Sequence, residues 1–131
     1  HRNPKDTIAS IFKNHFPSGR IKFAYNLDEL VKYYNLYDDL MNYWNQTLPD
    51  FIFNVKYENL IKNTKLENKK MLNFCNLKWE DNCLNFHKNK RKIKTASDIQ
   101  VRKKIYTKSI NSWTRYEKHL NKYFNKLKSN D

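Results

Sequence analysis

A single glycine, Gly19, stands among 131 residues. A phosphate-cradling loop that uses several glycines for close backbone approach therefore cannot be drawn from this chain. No run approaches the ~20 consecutive apolar residues of a membrane-spanning helix, and the opening residues carry no signal-peptide pattern. Two cysteines, Cys75 and Cys83, are too few for a disulfide scaffold, so a reducing compartment, the cytoplasm, is the expectation. With His87 they lack the spacing of a zinc site, and no third group is placed to orient a Cys–His nucleophile, so no metal is expected. Acidic residues are scarce as well: 13 against 26 lysines and arginines, for a net charge of +13.

That excess admits a basic helical nucleic-acid-binding module as one alternative. It is disfavoured because the positive residues are diffuse rather than gathered into a patch, apart from His87–Lys94. Lysine outnumbers arginine 21 to 5, and there are 19 asparagines, a composition that AT-rich coding gives without selection for a polyanion. Aromatic content of 15% argues for a packed core despite a mean hydropathy of −0.99. A helical interaction domain that docks a partner through an exposed aromatic face is the second alternative.

Along the chain, Asn3 reads as an N-cap, Pro4 suits the first helical position, and Asp6 complements the dipole of a helix running toward Phe16 and ended by Pro17-Ser18-Gly19. Asn26 with Glu29 opens a helix over Leu27–Leu48, whose stripe includes Leu30, Val31, Tyr34, Tyr37, Met41 and Trp44. The acidic pairs Asp28-Glu29 and Asp38-Asp39 fall on its solvated side. Phe51, Ile52, Phe53 and Val55 form a short apolar run after Pro49, predicting a buried β-strand over Phe51–Lys56. A capping box at Thr64 and Glu67 predicts a helix through Cys75 ended at Asn76, with a shorter helix over Trp79–His87. Lys88–Thr107 reads mainly as loop with a helical turn near Ile99–Lys103, and Ser109 as the cap of a final helix bearing Trp113, Leu120 and Phe124. The fold class is therefore α/β: mostly helical with one central buried strand.

Arg2 ahead of a helix start, with Ser10 further along, is a candidate anion site, since a guanidinium offers a planar fork of donors beside the positive end of a helix dipole. From here a family resemblance emerges. HRNPKDTIASIFKNHF resembles the motif with which sulfotransferases dependent on 3′-phosphoadenosine 5′-phosphosulfate (PAPS) bind the 3′-phosphate. FNVKYENLIKNTKLENKKMLNFCNL resembles the strand end and following helix of that family, and the stretch from Leu77 to Leu120 resembles its C-terminal tail. Bacterial sulfotransferases, often fused to tetratricopeptide repeats, and tyrosylprotein sulfotransferases are the most similar groups.

The resemblance implies a PAPS-dependent sulfotransferase that moves a sulfuryl group to a hydroxyl or amine acceptor, in a P-loop-like α/β parent fold. It implies that Arg2 and Ser10 hold the 3′-phosphate and that Tyr57 contacts the adenine. Arg102, Lys103, Lys104, Asn111 and Ser112 would close over the nucleotide, PAPS or its product 3′-phosphoadenosine 5′-phosphate (PAP). Asn59 stands where the family often has Asp. In the family the phosphosulfate loop and the catalytic base lie upstream of the 3′-phosphate motif. The sequence is accordingly expected to be the C-terminal part of a sulfotransferase domain over residues 1–131, with no catalytic residue identifiable, inactive alone, and prone to self-association through an unpartnered edge of the Phe51 strand.

Overall fold

A computed structural model describes residues 1–16, 19, 21–88 and 102–128. The chain divides into two compact units, one of Arg2–Ile52 with Ser109–Asp131, the other of His1 with Phe53–Lys108.

The first unit is built on three helices. Helix α1 spans Pro4–Lys13, with proline at its first position and the Asn3 side chain accepting hydrogen bonds from the N–H groups of Lys5 (2.9 Å) and Asp6 (3.4 Å). It stops short of Phe16, where the Asn14 N–H folds back to the Ile11 carbonyl. A 3-10 turn, Lys22–Tyr25, precedes α2, Leu27–Thr47, which Asn26 caps by accepting from the N–H groups of Asp28 and Glu29. The third helix of this unit, Glu117–Phe124 (α5), follows a 3-10 turn over Ser112–Tyr116. The final helix therefore starts seven residues later than the Ser109 cap predicts, because Asn111 takes a left-handed conformation (φ 55°) that α-helix cannot accommodate.

Ile8 and Ala9 of α1, Leu30 and Val31 of α2, and Leu120 and Phe124 of α5 form the core, with Phe23, Tyr34, Trp113 and Leu127 packed around it. The aromatic stripe of α2 is thus core only in its first half: Tyr37, Trp44 and Leu48 are exposed. The solvated-side reading of its acidic residues also needs correction, because Asp38 is buried. Trp113 meets Phe124 edge to face at 5.8 Å, Lys5 lies 4.4 Å over its ring, and its buried indole N–H has no hydrogen-bond partner among the described residues. Trp113→Phe keeps both ring contacts and removes an unsatisfied donor. Its unfolding free energy in urea is expected within about 1 kcal/mol of the wild type, where loss of an aromatic side chain costs about 3–5.

The end of the chain is tied to α2 by polar groups. The Asn35 side chain donates to the Lys126 carbonyl (2.9 Å) and accepts from the Lys128 N–H (3.2 Å), while Lys128 reaches both oxygens of Asp39 at 2.6 Å. Lys126 donates to Asp28 at 2.5 Å, and this hydrogen bond holds the Asp28 carboxyl below its ordinary pKa of 3.8. A depressed carboxyl contributes stability above its unfolded-state pKa and loses it as pH falls through the folded one. Lys126→Ala should therefore raise the Asp28 midpoint in an NMR titration, and whatever the pair contributes against unfolding should be present at neutral pH and fade as pH falls through that midpoint. An unchanged midpoint would remove Lys126 as the cause.

The second unit holds α3, Tyr57–Lys62, and α4, Thr64–Phe74, with a 3-10 stretch over Asp81–Lys88. The predicted Trp79–His87 helix is this 3-10 stretch, interrupted at Asn85, whose backbone is not helical. The capping box at Thr64 does not form. Thr64 is already the first residue of α4, and its hydroxyl donates back to the Leu60 carbonyl of α3 at 2.9 Å. Glu67 instead is buried and pairs with Lys70 at 2.7 Å. Asn76 ends α4 as predicted, in left-handed conformation (φ 54°), with Leu77 N–H reaching the Leu72 carbonyl and Asn76 N–H the Asn73 carbonyl. Those two bonds satisfy carbonyls that a helix end otherwise leaves bare. Among the described residues this unit contains no buried hydrophobic side chain. The predicted turn at Ile99–Lys103 lies largely outside the described residues.

The α/β expectation is wrong: among the described residues the protein is helical, with no strand. Leu48–Phe51 is a turn, with Asp50 at φ 62° and the Phe51 N–H returning to the Leu48 carbonyl, and the Phe51 side chain is 73% exposed. Phe53–Lys56 has no regular secondary structure, with Lys56 extended, and it is met by His1: the His1 N–H donates to the Val55 carbonyl (2.5 Å) and the Tyr57 N–H to the His1 carbonyl (2.8 Å). Apolar character without a row of partner backbones does not make a buried strand. Phe53 packs on Phe74 (5.2 Å between centroids) instead. Self-association by pairing along a Phe51 strand edge loses its basis with that strand.

Candidate functional site

Of the residues expected at a nucleotide site, Arg2, Ser10 and Asn111 belong to the first unit, Tyr57, Arg102 and Lys103 to the second. In the second unit Tyr57 is half-buried as the first residue of α3, with its N–H committed to the His1 carbonyl, while Arg102 and Lys103 are exposed in a turn.

In the first unit the residues around the start of α1 form a connected polar cluster. Arg2, half-buried, donates from its guanidinium to the Ser109 carbonyl at 2.7 Å. Asn3 uses the backbone donors of Lys5 and Asp6 for the cap, and Pro4 has none. An anion near this helix start must therefore be met mainly by side chains rather than by the backbone donors that a helix N-terminus ordinarily presents. Ser10, half-buried, lies seven residues beyond Asn3, two turns along the same face of α1.

The residue that organises the cluster is Asp6. Its carboxylate is fully buried and accepts three hydrogen bonds, from the Asn111 N–H (2.7 Å), the Ser112 hydroxyl (3.0 Å) and the Trp113 N–H (3.1 Å). The left-handed backbone at Asn111 turns these donors toward one point, a concavity of the kind that binds anions, and here the protein's own carboxylate fills it. Asp6 thus does far more than complement the α1 dipole. Asn111, expected to face the nucleotide, gives its N–H to Asp6 and keeps an exposed side chain. Sequence reasoning missed the buried carboxylate; the available signal was that Asp6 shares a helical face with Ala9 of the core.

Among the described residues no three of His, Cys, Asp and Glu converge as a metal site, Cys75 and Cys83 are free, and no helix is long and apolar enough to cross a membrane.

The model of the sulfotransferase family matches residues 1–81, a span that includes Arg2, Ser10 and Tyr57. An uncharacterised protein of Aquifex aeolicus (strain VF5) is 36% identical over 121 residues, covering 91% of this chain but only 16% of its own length. No solved structure matches. The matched span contains the whole α1 motif and reaches past the end of α4, more than half of the chain, and so the chain belongs to the sulfotransferase family.

Proposed function

We propose that the protein carrying this chain is a PAPS-dependent sulfotransferase, and that the start of α1 takes the 3′-phosphate of the nucleotide through Arg2 and Ser10. The observation that carries the reading is the placement of Arg2. Its guanidinium stands directly ahead of a firmly capped helix and is anchored on one side by the Ser109 carbonyl. That anchor helps set the orientation of a long side chain, and the planar fork of a guanidinium is the donor geometry suited to a phosphate.

In sulfuryl transfer the acceptor oxygen or nitrogen forms a bond to sulfur as the bond from sulfur to the phosphate oxygen breaks. The acceptor gives up a proton, and PAP leaves. The contribution argued for Arg2 and Ser10 is recognition of the end of the nucleotide remote from sulfur, where binding energy orients the donor. Isothermal calorimetry on the complete protein tests this reading. PAP should bind at least about ten-fold more tightly than AMP, which differs by lacking the 3′-phosphate. Equal affinities would contradict it.

A further inference from the structure

Asp6 and Arg2 lie on opposite sides of the Asn3 cap, yet both grip the same five-residue segment, Ser109–Trp113. Asp6 takes the Asn111 and Trp113 N–H groups and the Ser112 hydroxyl, and Arg2 donates to the carbonyl of Ser109 two residues before Asn111. We infer that Asp6 is a positioning residue for anion recognition. By clamping Ser109–Trp113 onto the first turn of α1, it fixes the Ser109 carbonyl that sets the direction of the Arg2 guanidinium. The inference rests on the reading that Arg2 meets the 3′-phosphate.

The chemistry favours a role beyond holding the fold together. The core cluster of Ile8, Ala9, Leu30, Val31, Leu120 and Phe124 already joins α1, α2 and α5 without help from Asp6. A buried carboxylate is costly to desolvate unless several hydrogen bonds compensate it, and an apolar residue would serve packing alone at least as well. What the three bonds secure is the position of one half-buried turn at the start of α1. An arginine loses considerable rotamer freedom when it binds, so a carbonyl that orients it beforehand raises affinity for the anion without touching the anion. Lys5 over the Trp113 ring adds a second cation whose place depends on the same turn.

The test measures PAP and AMP affinities of the complete protein by calorimetry for Ser112→Ala, Asp6→Asn, Arg2→Ala, and Ser112→Ala combined with Arg2→Ala. Ser112→Ala removes one of three bonds and leaves the carboxylate held by two N–H groups, so it remains informative should Asp6→Asn fold poorly. Both clamp variants should weaken PAP about three- to ten-fold and leave AMP nearly unchanged. In the Arg2→Ala background, Ser112→Ala should no longer alter the ratio of the two affinities. A purely structural role would lower the folded fraction and so reduce both affinities together, leaving their ratio fixed. A ratio lowered by Arg2→Ala but by neither clamp variant overturns the inference alone. A ratio untouched by Arg2→Ala overturns the 3′-phosphate reading and the inference with it.

Discussion

Replacing Arg2 by alanine in the complete protein is expected to weaken PAP binding by about 10- to 150-fold, with a far smaller change for AMP. Those limits correspond to about 1.5–3 kcal/mol for a hydrogen-bonded contact to a charged group. The difference between the ligands matters more than the loss itself. Arg2 also ties down the Ser109 carbonyl, so its removal could loosen the start of α1 for any ligand. Only a contact to the 3′-phosphate itself makes the loss specific to PAP. Arg2→Lys should fall between wild type and alanine, since an ammonium keeps the charge but loses the planar fork that can serve a carbonyl and a phosphate together. Equal losses for PAP and AMP would move Arg2 off the phosphate.

The second large effect concerns stability. Asp6→Ala strands the Asn111 and Trp113 N–H groups and the Ser112 hydroxyl, all of which point at the missing carboxylate. A buried donor left without an acceptor costs about 1–3 kcal/mol, and relaxation of the half-buried turn, exposed at Asn111, allows water to reach some of the three. A total loss of about 3–5 kcal/mol in urea unfolding at neutral pH follows. Domains are stable by only about 5–15 kcal/mol, so this change alone removes a large share of the margin. Asp6→Asn, which keeps one acceptor, should lose less. A loss under about 1 kcal/mol for alanine would mean that the three bonds contribute no net stability.

The features most legible in the sequence are those set by local chemistry. Asn3-Pro4 and Asn26 start helices because a short polar side chain can satisfy first-turn N–H groups within a few residues. Asn76 ends one because it tolerates a left-handed backbone. The family, too, was legible in the arginine–turn–serine motif and in the order of the later segments. What local pattern could not supply was partnership over distance. Phe51–Val55 has the composition of a buried strand, but that state requires a row of neighbouring backbones, and among the described residues the chain turns at Asp50 and leaves Phe51 exposed. The Thr64 capping box failed because α3 ends two residues earlier and its Leu60 carbonyl captures the hydroxyl. The local pattern at Asp6 points only to the helix dipole, because its hydrogen-bond partners lie more than a hundred positions away.

The most direct measurement of the central claim is a crystal structure of the complete protein with PAP bound. The claim requires the 3′-phosphate within about 2.7–2.9 Å of the Arg2 guanidinium and in hydrogen-bond reach of the Ser10 hydroxyl, with Ser109 still accepting from Arg2. A bound PAP whose 3′-phosphate lies away from Arg2 and Ser10 would contradict it.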